Sequence, residues 1–103
     1  MIKANVLYPH KDGGNFDMTY YLTKHMPLVK ERLGGALKSM SVDEGIAGGA
    51  PGSTPPFAVV ASLIFDNIAD LQSSLGTHAA ELMADVPNFT NIEPSMQISE
   101  VRM

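Results

Sequence analysis

The chain has 103 residues, 45% of them hydrophobic and 17% charged, with a formal net charge of −4; this is the size of one domain, residues 1–103, with one core. Its seven Lys and Arg are scattered without a basic run, which argues against nucleic acid as a partner, and no apolar run approaches the ~20 residues of a membrane span. There is no cysteine, hence no disulfide and no thiolate metal site; MIKANVLY has no signal-peptide pattern, so the expectation is a soluble cytoplasmic protein.

Ile2 to Tyr8 alternates Ile2, Ala4, Val6 and Tyr8 against Lys3, Asn5 and Leu7, the period of a strand. PHKDGGN interrupts it. Asp17 suits an N-cap, because its carboxylate accepts a free N–H of the first turn. A helix is predicted from Met18 to Leu33, closed by Gly34 and Gly35. ALKSMSVDEGI places Leu37, Met40 and Val42 among polar residues, which suits an edge strand. Gly45 to Pro56 is a long Gly/Pro-rich loop, either a lid or a mobile hairpin tip. FAVVASLIF, Phe57 to Phe65, reads as a strand covered on both faces.

DNIADLQSSLG predicts a short helix capped by Asn67 and ended by Gly76, and THAAELMADVPNF restarts the helix at Thr77 and stops before Pro87. Glu93 to Arg102 makes the last strand. The order β-α-β-β-α-β, with two right-handed crossovers, gives a ferredoxin-like α+β fold. Its four-stranded antiparallel sheet carries both helices on one face, and the first and third strands lie in the middle.

Two helices cover only one face. Phe57, Val59, Ala61, Leu63 and Phe65 point one way along the third strand, and Ala58, Val60 and Ile64 the other. Each large side chain left in water forgoes roughly 1.5–3 kcal/mol of burial, and an exposed apolar patch marks an interaction surface. The expectation is a homodimer packed through the open sheet face; the alternative is that a loop or tail folds over it.

At 100° per residue Met18, Tyr21, Leu22, His25, Val29 and Leu33 form one stripe, with Tyr20, Lys24, Pro27 and Glu31 opposite. Pro27 lacks the N–H that the carbonyl of Thr23 needs, so it should kink or weaken the helix. His25 thus points at the sheet. Two readings are open there: a core histidine bonded to Tyr21, Asn5 or a backbone carbonyl, or an acid/base group in a cavity between helix and sheet.

FDMTYYLTKHMPLV resembles the start of the EthD family, named for ethyl tert-butyl ether degradation. GGAPGSTPPF, HAAELMADVPNFTNIEP and QISEV extend the resemblance over essentially the whole chain. It implies a dimeric α+β barrel of two ferredoxin-like subunits. The wider superfamily includes cofactor-free monooxygenases, muconolactone-type isomerases, polyketide-tailoring enzymes and haem-binding enzymes. The resemblance also carries the tyrosine–histidine helix onto Tyr20, Tyr21 and His25, and a second segment onto His78 to Glu81, followed by Pro87, Asn88 and Phe89.

The candidate catalytic residues are therefore His25, to shuttle or orient a proton, and Tyr21, to position a substrate oxygen. Tyr20, Tyr8, Asn5, Met40, His78, Asn88 and Phe89 are candidates for substrate binding. Asp85 either pairs with a histidine or is solvated at its helix end. His10, His25 and His78 lack a metal-ligand spacing, and DGG and GGAPG lack the context of a phosphate loop, so no metal and no cofactor is expected. The function expected is a cofactor-independent oxidoreductase or isomerase acting on a small apolar or aromatic oxygenated compound. The alternatives are a non-catalytic small-molecule-binding or accessory protein of a degradation pathway, and a haem-dependent enzyme with His78 or His25 as axial ligand.

Overall fold

The N-terminal alternation becomes the central strand β1, Ile2–Pro9, in a computed structural model that describes all of residues 1–103. Ala4 and Tyr8 are buried from its helix side. The other strands are β2, Ser39–Glu44, β3, Phe57–Phe65, and β4, Ser95–Glu100. The sheet order is β2-β3-β1-β4, every neighbouring pair antiparallel. Val6 stands opposite Ala61 on one side and Met96 on the other, so these three side chains share one face. The expected topology is observed. β2 and β4 are each shorter than the sequence pattern suggested.

The first helix, α1, spans 18–33 in three continuous pieces: α-helical Met18–Tyr20, a π turn over Tyr21–His25, and α-helical Met26–Leu33. Asp17 caps it as expected, accepting from the Tyr20 N–H at 3.0 Å. Gly34 ends it with φ 57°, a conformation that favours glycine. In the π turn the Met26 N–H reaches back five residues to the Tyr21 carbonyl. The wider turn absorbs the difficulty of Pro27, which lies in the first turn of the next α-helical piece, where its missing N–H is tolerated.

That turn also corrects the stripe. Leu22, expected on the sheet side, is 50% exposed, and Met26 is buried in its place. A uniform 100° step does not hold across a π turn. Tyr21, His25, Val29 and Leu33 do face the core.

The second helix, α2, runs unbroken from Ile68 to Ala84. Asn67 caps it by accepting from the Asp70 N–H at 2.8 Å. The break expected at Gly76 does not occur. Gly76 is an exposed helical residue, and burial of Leu71, Leu75 and Leu82 on one side outweighs the ~1 kcal/mol propensity cost of a mid-helix glycine. His78 is consequently well inside a helix, not at the positive end of a new one. After Ala84 a short 3-10 turn, Val86–Asn88, carries Pro87.

The core lies between the helices and one sheet face, and holds Val59, Ala61, Leu63 and Phe65 of β3. The opposite face presents Leu7, Val60 and Ile64, but also Asn5, Ser41, Ser62 and Asp43. It is more polar than the third strand alone implied, and the Asn5 amide donates to the Ser62 hydroxyl at 2.9 Å in its middle. The 45–56 loop stays at the end of the β2–β3 hairpin. It is tied there by the Gly45 N–H to the Ala58 carbonyl and by the His10 N–H to the Pro56 carbonyl. A side chain at Gly45 would run into Pro55 and the Phe57 carbonyl. No helix is long and apolar enough to cross a membrane.

Candidate functional site

Between α1, α2 and the sheet lies a cavity of about 60 Å³. Val6, Val29, Ala61, Leu63 and Leu82 are among its apolar walls, and its polar groups come from Tyr8, Tyr21 and His25. β1 supplies Tyr8, and the π turn supplies Tyr21 and His25 from one side of the helix. The Tyr21 and His25 rings stack at 5.3 Å with 16° between planes. Tyr8 meets Tyr21 edge-on at 5.8 Å. Phe89 stands behind them, 4.7 Å from the imidazole and 4.9 Å from the Tyr21 ring.

His25 Nδ1 lies 2.9 Å from Asp85 Oδ2. The other carboxylate oxygen accepts from the Tyr20 hydroxyl at 2.7 Å and from the Asn88 amide at 2.9 Å. Burial pushes the Asp85 carboxyl up. The bonds from Asn88, Tyr20 and His25 oppose that, and the balance holds it below its usual range. Asp85 is therefore ionised at neutral pH. An ionised carboxylate only accepts, so Nδ1 carries a proton, and when the ring holds that one alone Nε2 is the acceptor.

No buried side-chain nitrogen or oxygen lacks a partner. Nε2 makes no hydrogen bond within the chain and so keeps some accessible surface, and His25 is one of the residues that line the cavity. Burial pushes the phenols of Tyr8 and Tyr21 upward, and the neighbouring Tyr21 raises Tyr8 further. Both remain neutral hydrogen-bond donors at neutral pH. The bond to Asp85 raises the Tyr20 phenol as well.

The sequence candidates separate into two groups. Tyr8, Tyr20, Tyr21, His25, Asn88 and Phe89 come together, as ligands of Asp85 or as rings around the imidazole. Asn5, Met40 and His78 stand elsewhere. Asn5 projects from the other sheet face. Met40 borders a separate recess with Lys30 and Lys38. His78 lies 4.0 Å from Glu81, whose carboxylate accepts from Arg32 at 2.9 Å. Asp85, the hub of the network, stood in the sequence between a paired and a solvated reading. Its position offered a signal: an acid at a helix C-terminus opposes the dipole there, and it tolerates that place because three donors surround it.

The sheet order and the helices on one face place the chain among ferredoxin-like α+β domains. Within that class it belongs to the EthD family, whose EthD domain matches residues 15–93. It is 42% identical to an EthD-like protein of Ralstonia eutropha JMP134, with a TM-score of 0.93 over 99% of this chain and 92% of that one. An ethyl tert-butyl ether degradation family protein of Bacillus halodurans C-125 superposes with a TM-score of 0.69 at 21% identity, over 99% of both chains. A putative monooxygenase of Shewanella loihica PV-4 shares the fold at 10% identity, with a TM-score of 0.62 over 99% of this chain and 94% of that one. No curated protein matches the chain.

Proposed function

We propose that this protein is a small-molecule catabolism enzyme. It moves a proton on a small apolar or aromatic oxygenated compound held between the helices and the sheet. The observation that carries this reading is the His25–Asp85 pair, which leaves Nε2 as a proton acceptor at a cavity that the neutral phenols of Tyr8 and Tyr21 also line. In that arrangement Nε2 takes a proton from carbon or oxygen of the substrate. Tyr21, itself hydrogen-bonded by Tyr8, donates to the oxygen on which negative charge develops, and the apolar walls strengthen that bond by excluding water. Isomerisation through an enolate needs nothing more. An oxidation would begin from the same deprotonation: the carbanion would reduce molecular oxygen, one oxygen atom entering the product as a carbonyl in place of two C–H bonds and the other leaving as water.

The test is turnover of a panel of lactones, phenols and quinones by the wild type and His25→Ala. General acid–base catalysis contributes about 10²–10⁴-fold, so a loss of that order is expected in a variant whose circular dichroism is unchanged. Full turnover by folded His25→Ala would remove the imidazole from the mechanism.

A second reading is a binding or accessory protein, and one observation favours it. The Asp85 network gives both carboxylate oxygens a donor, which is also what a purely structural buried histidine requires. Binding across the panel without conversion would select it. The haem alternative has less support: a cavity of about 60 Å³ admits no part of a macrocycle beyond its edge.

The proposal extends to a homodimer through the open sheet face, supported by Leu7, Val60 and Ile64 on the side without helices. Light scattering should then give twice the 11.0 kDa of one chain, and a stable single-chain mass at working concentration would reject it.

A further inference from the structure

We propose that the ligand of this cavity is amphiphilic, with the hydroxyl of a neutral phenol or enol head among Tyr8, Tyr21 and His25 and a short linear alkyl tail along Met96 and Ile98 of β4. The inference rests on reading the cavity as a small-molecule site. It does not require His25 to transfer a proton.

Size is the first argument. About 60 Å³ is less than half of the roughly 150 Å³ cavity that accepts a benzene ring. The enclosed part therefore holds only the hydroxyl end of a phenol or enol, and the rest of the ring and the tail must leave through the mouth. The mouth is identifiable. Met83 of α2 and Met96 of β4 both line the cavity, and both are about half exposed, at 50% and 47%. The exit therefore passes between α2 and the edge strand.

What lies outside that exit is apolar. Ile98 follows Met96 on the same face, since their partners on β1 are Ala4 and Val6, and it is 48% exposed. The helices on this face leave both side chains of β4 about half exposed. The distance from Met96 to Ile98 is about 7 Å at strand rise, the reach of a butyl to hexyl chain. Glu100 comes next on that face and pairs with Arg102, so the strip ends at charge.

Chemistry fixes the head. No Lys or Arg lines the cavity, so an anionic head would be desolvated without a counter-charge. A neutral hydroxyl donates to Nε2 and accepts from a tyrosine. Methionine on both sides of the exit adapts to a flexible chain. A second copy of the protein is the competing occupant. The strip offers two side chains of β4 and one of α2, well short of the ~800 Å² per partner that a stable interface uses.

Calorimetric titration of the full chain with 4-alkylphenols from methyl to octyl tests this. Kd should fall about fourfold per methylene, from the usual gain per buried CH₂, and level off when the tail reaches Glu100. Ile98→Glu and Ile98→Ser, both at a half-exposed position, should flatten the series beyond the first carbons and leave 4-methylphenol bound as in the wild type. A flat series in the wild type, an unchanged slope in both variants, or no binding by any member would overturn the proposal. A flat series together with a change of oligomeric mass in Ile98→Glu would overturn it in favour of a second copy. The proton-transfer role is read separately. Full turnover by His25→Ala would sink that role while leaving the chain-length slope in place.

Discussion

Asp85→Asn should lower turnover by about 10²–10⁴-fold in a protein that still folds. The carboxylate accepts from His25 Nδ1, Tyr20 and Asn88. An asparagine has one oxygen and one amide group. If its amide faces the imidazole, Nδ1 becomes the acceptor and the proton moves to Nε2, so the cavity meets a donor where it had a base. Long-range ¹⁵N–¹H spectra of the imidazole read that switch directly, with Nδ1 as the protonated nitrogen in the wild type and Nε2 in the variant. An unchanged tautomer with unchanged turnover would show that Asp85 does not set the state of His25.

The same variant has a pH signature. The Asp85 carboxyl is held below its ordinary value of 3.8. A depressed folded-state pKa adds stability that is fully present above the unfolded value and is lost as pH falls through the folded one. Wild type should thus exceed Asp85→Asn in urea midpoint near neutrality, and the gap should close in acid below the ordinary carboxyl range. A gap that widened on acidification would contradict the assigned direction.

Phe89→Ala should have the largest effect on stability, about 3–5 kcal/mol, against the roughly 5–15 kcal/mol that holds a domain together. Phe89 is 2% exposed. Its ring centroid lies 4.7 Å from His25, 4.9 Å from Tyr21, 5.3 Å from Phe16 and 6.0 Å from Tyr8. Its carbonyl accepts from the Asp17 N–H at 2.7 Å, so the residue that caps α1 is also held to the turn after α2. Truncation leaves a void where four rings converge, and edge-on contacts worth about 0.5–1.5 kcal/mol each are lost with it. The urea midpoint should fall steeply, with a smaller loss in Phe89→Leu, which retains part of the volume. A midpoint within 1 kcal/mol of wild type, an amount on the scale of an average substitution, would mean the cluster closes over the gap.

What the sequence revealed follows from the range of the interactions involved. The alternation of Ile2, Ala4, Val6 and Tyr8 is a local property and placed β1 on its correct face. Asp17, Asn67 and Gly34 act within one turn, and each does what its chemistry suggested. Gly76 misled because a propensity cost is small beside the burial of Leu71, Leu75 and Leu82, which depends on a distant sheet. Leu22 misled because helical periodicity assumes a constant step, and the π turn before Pro27 breaks it. At the site, Tyr21 and His25 were legible from their spacing. Asp85 was not fixed by spacing, because two of its three partners, Tyr20 and His25, lie on α1, 65 and 60 residues away, and meet it only after folding. The mixed polarity of the open sheet face was equally hidden, since Asn5 and Ser62 are 57 residues apart.

The π turn also sets how a change of length would alter the pocket. It contains one more residue than a regular helical path through the same space, and Leu22, exposed within it, makes no contribution to the core. Loss of a single residue there would rewind the segment and swing Tyr21 around the helix axis relative to His25, without disturbing any strand. A natural or engineered one-residue length difference at this point therefore re-aims an aromatic ring inside an otherwise constant scaffold. That is a short evolutionary route from one ligand shape to another.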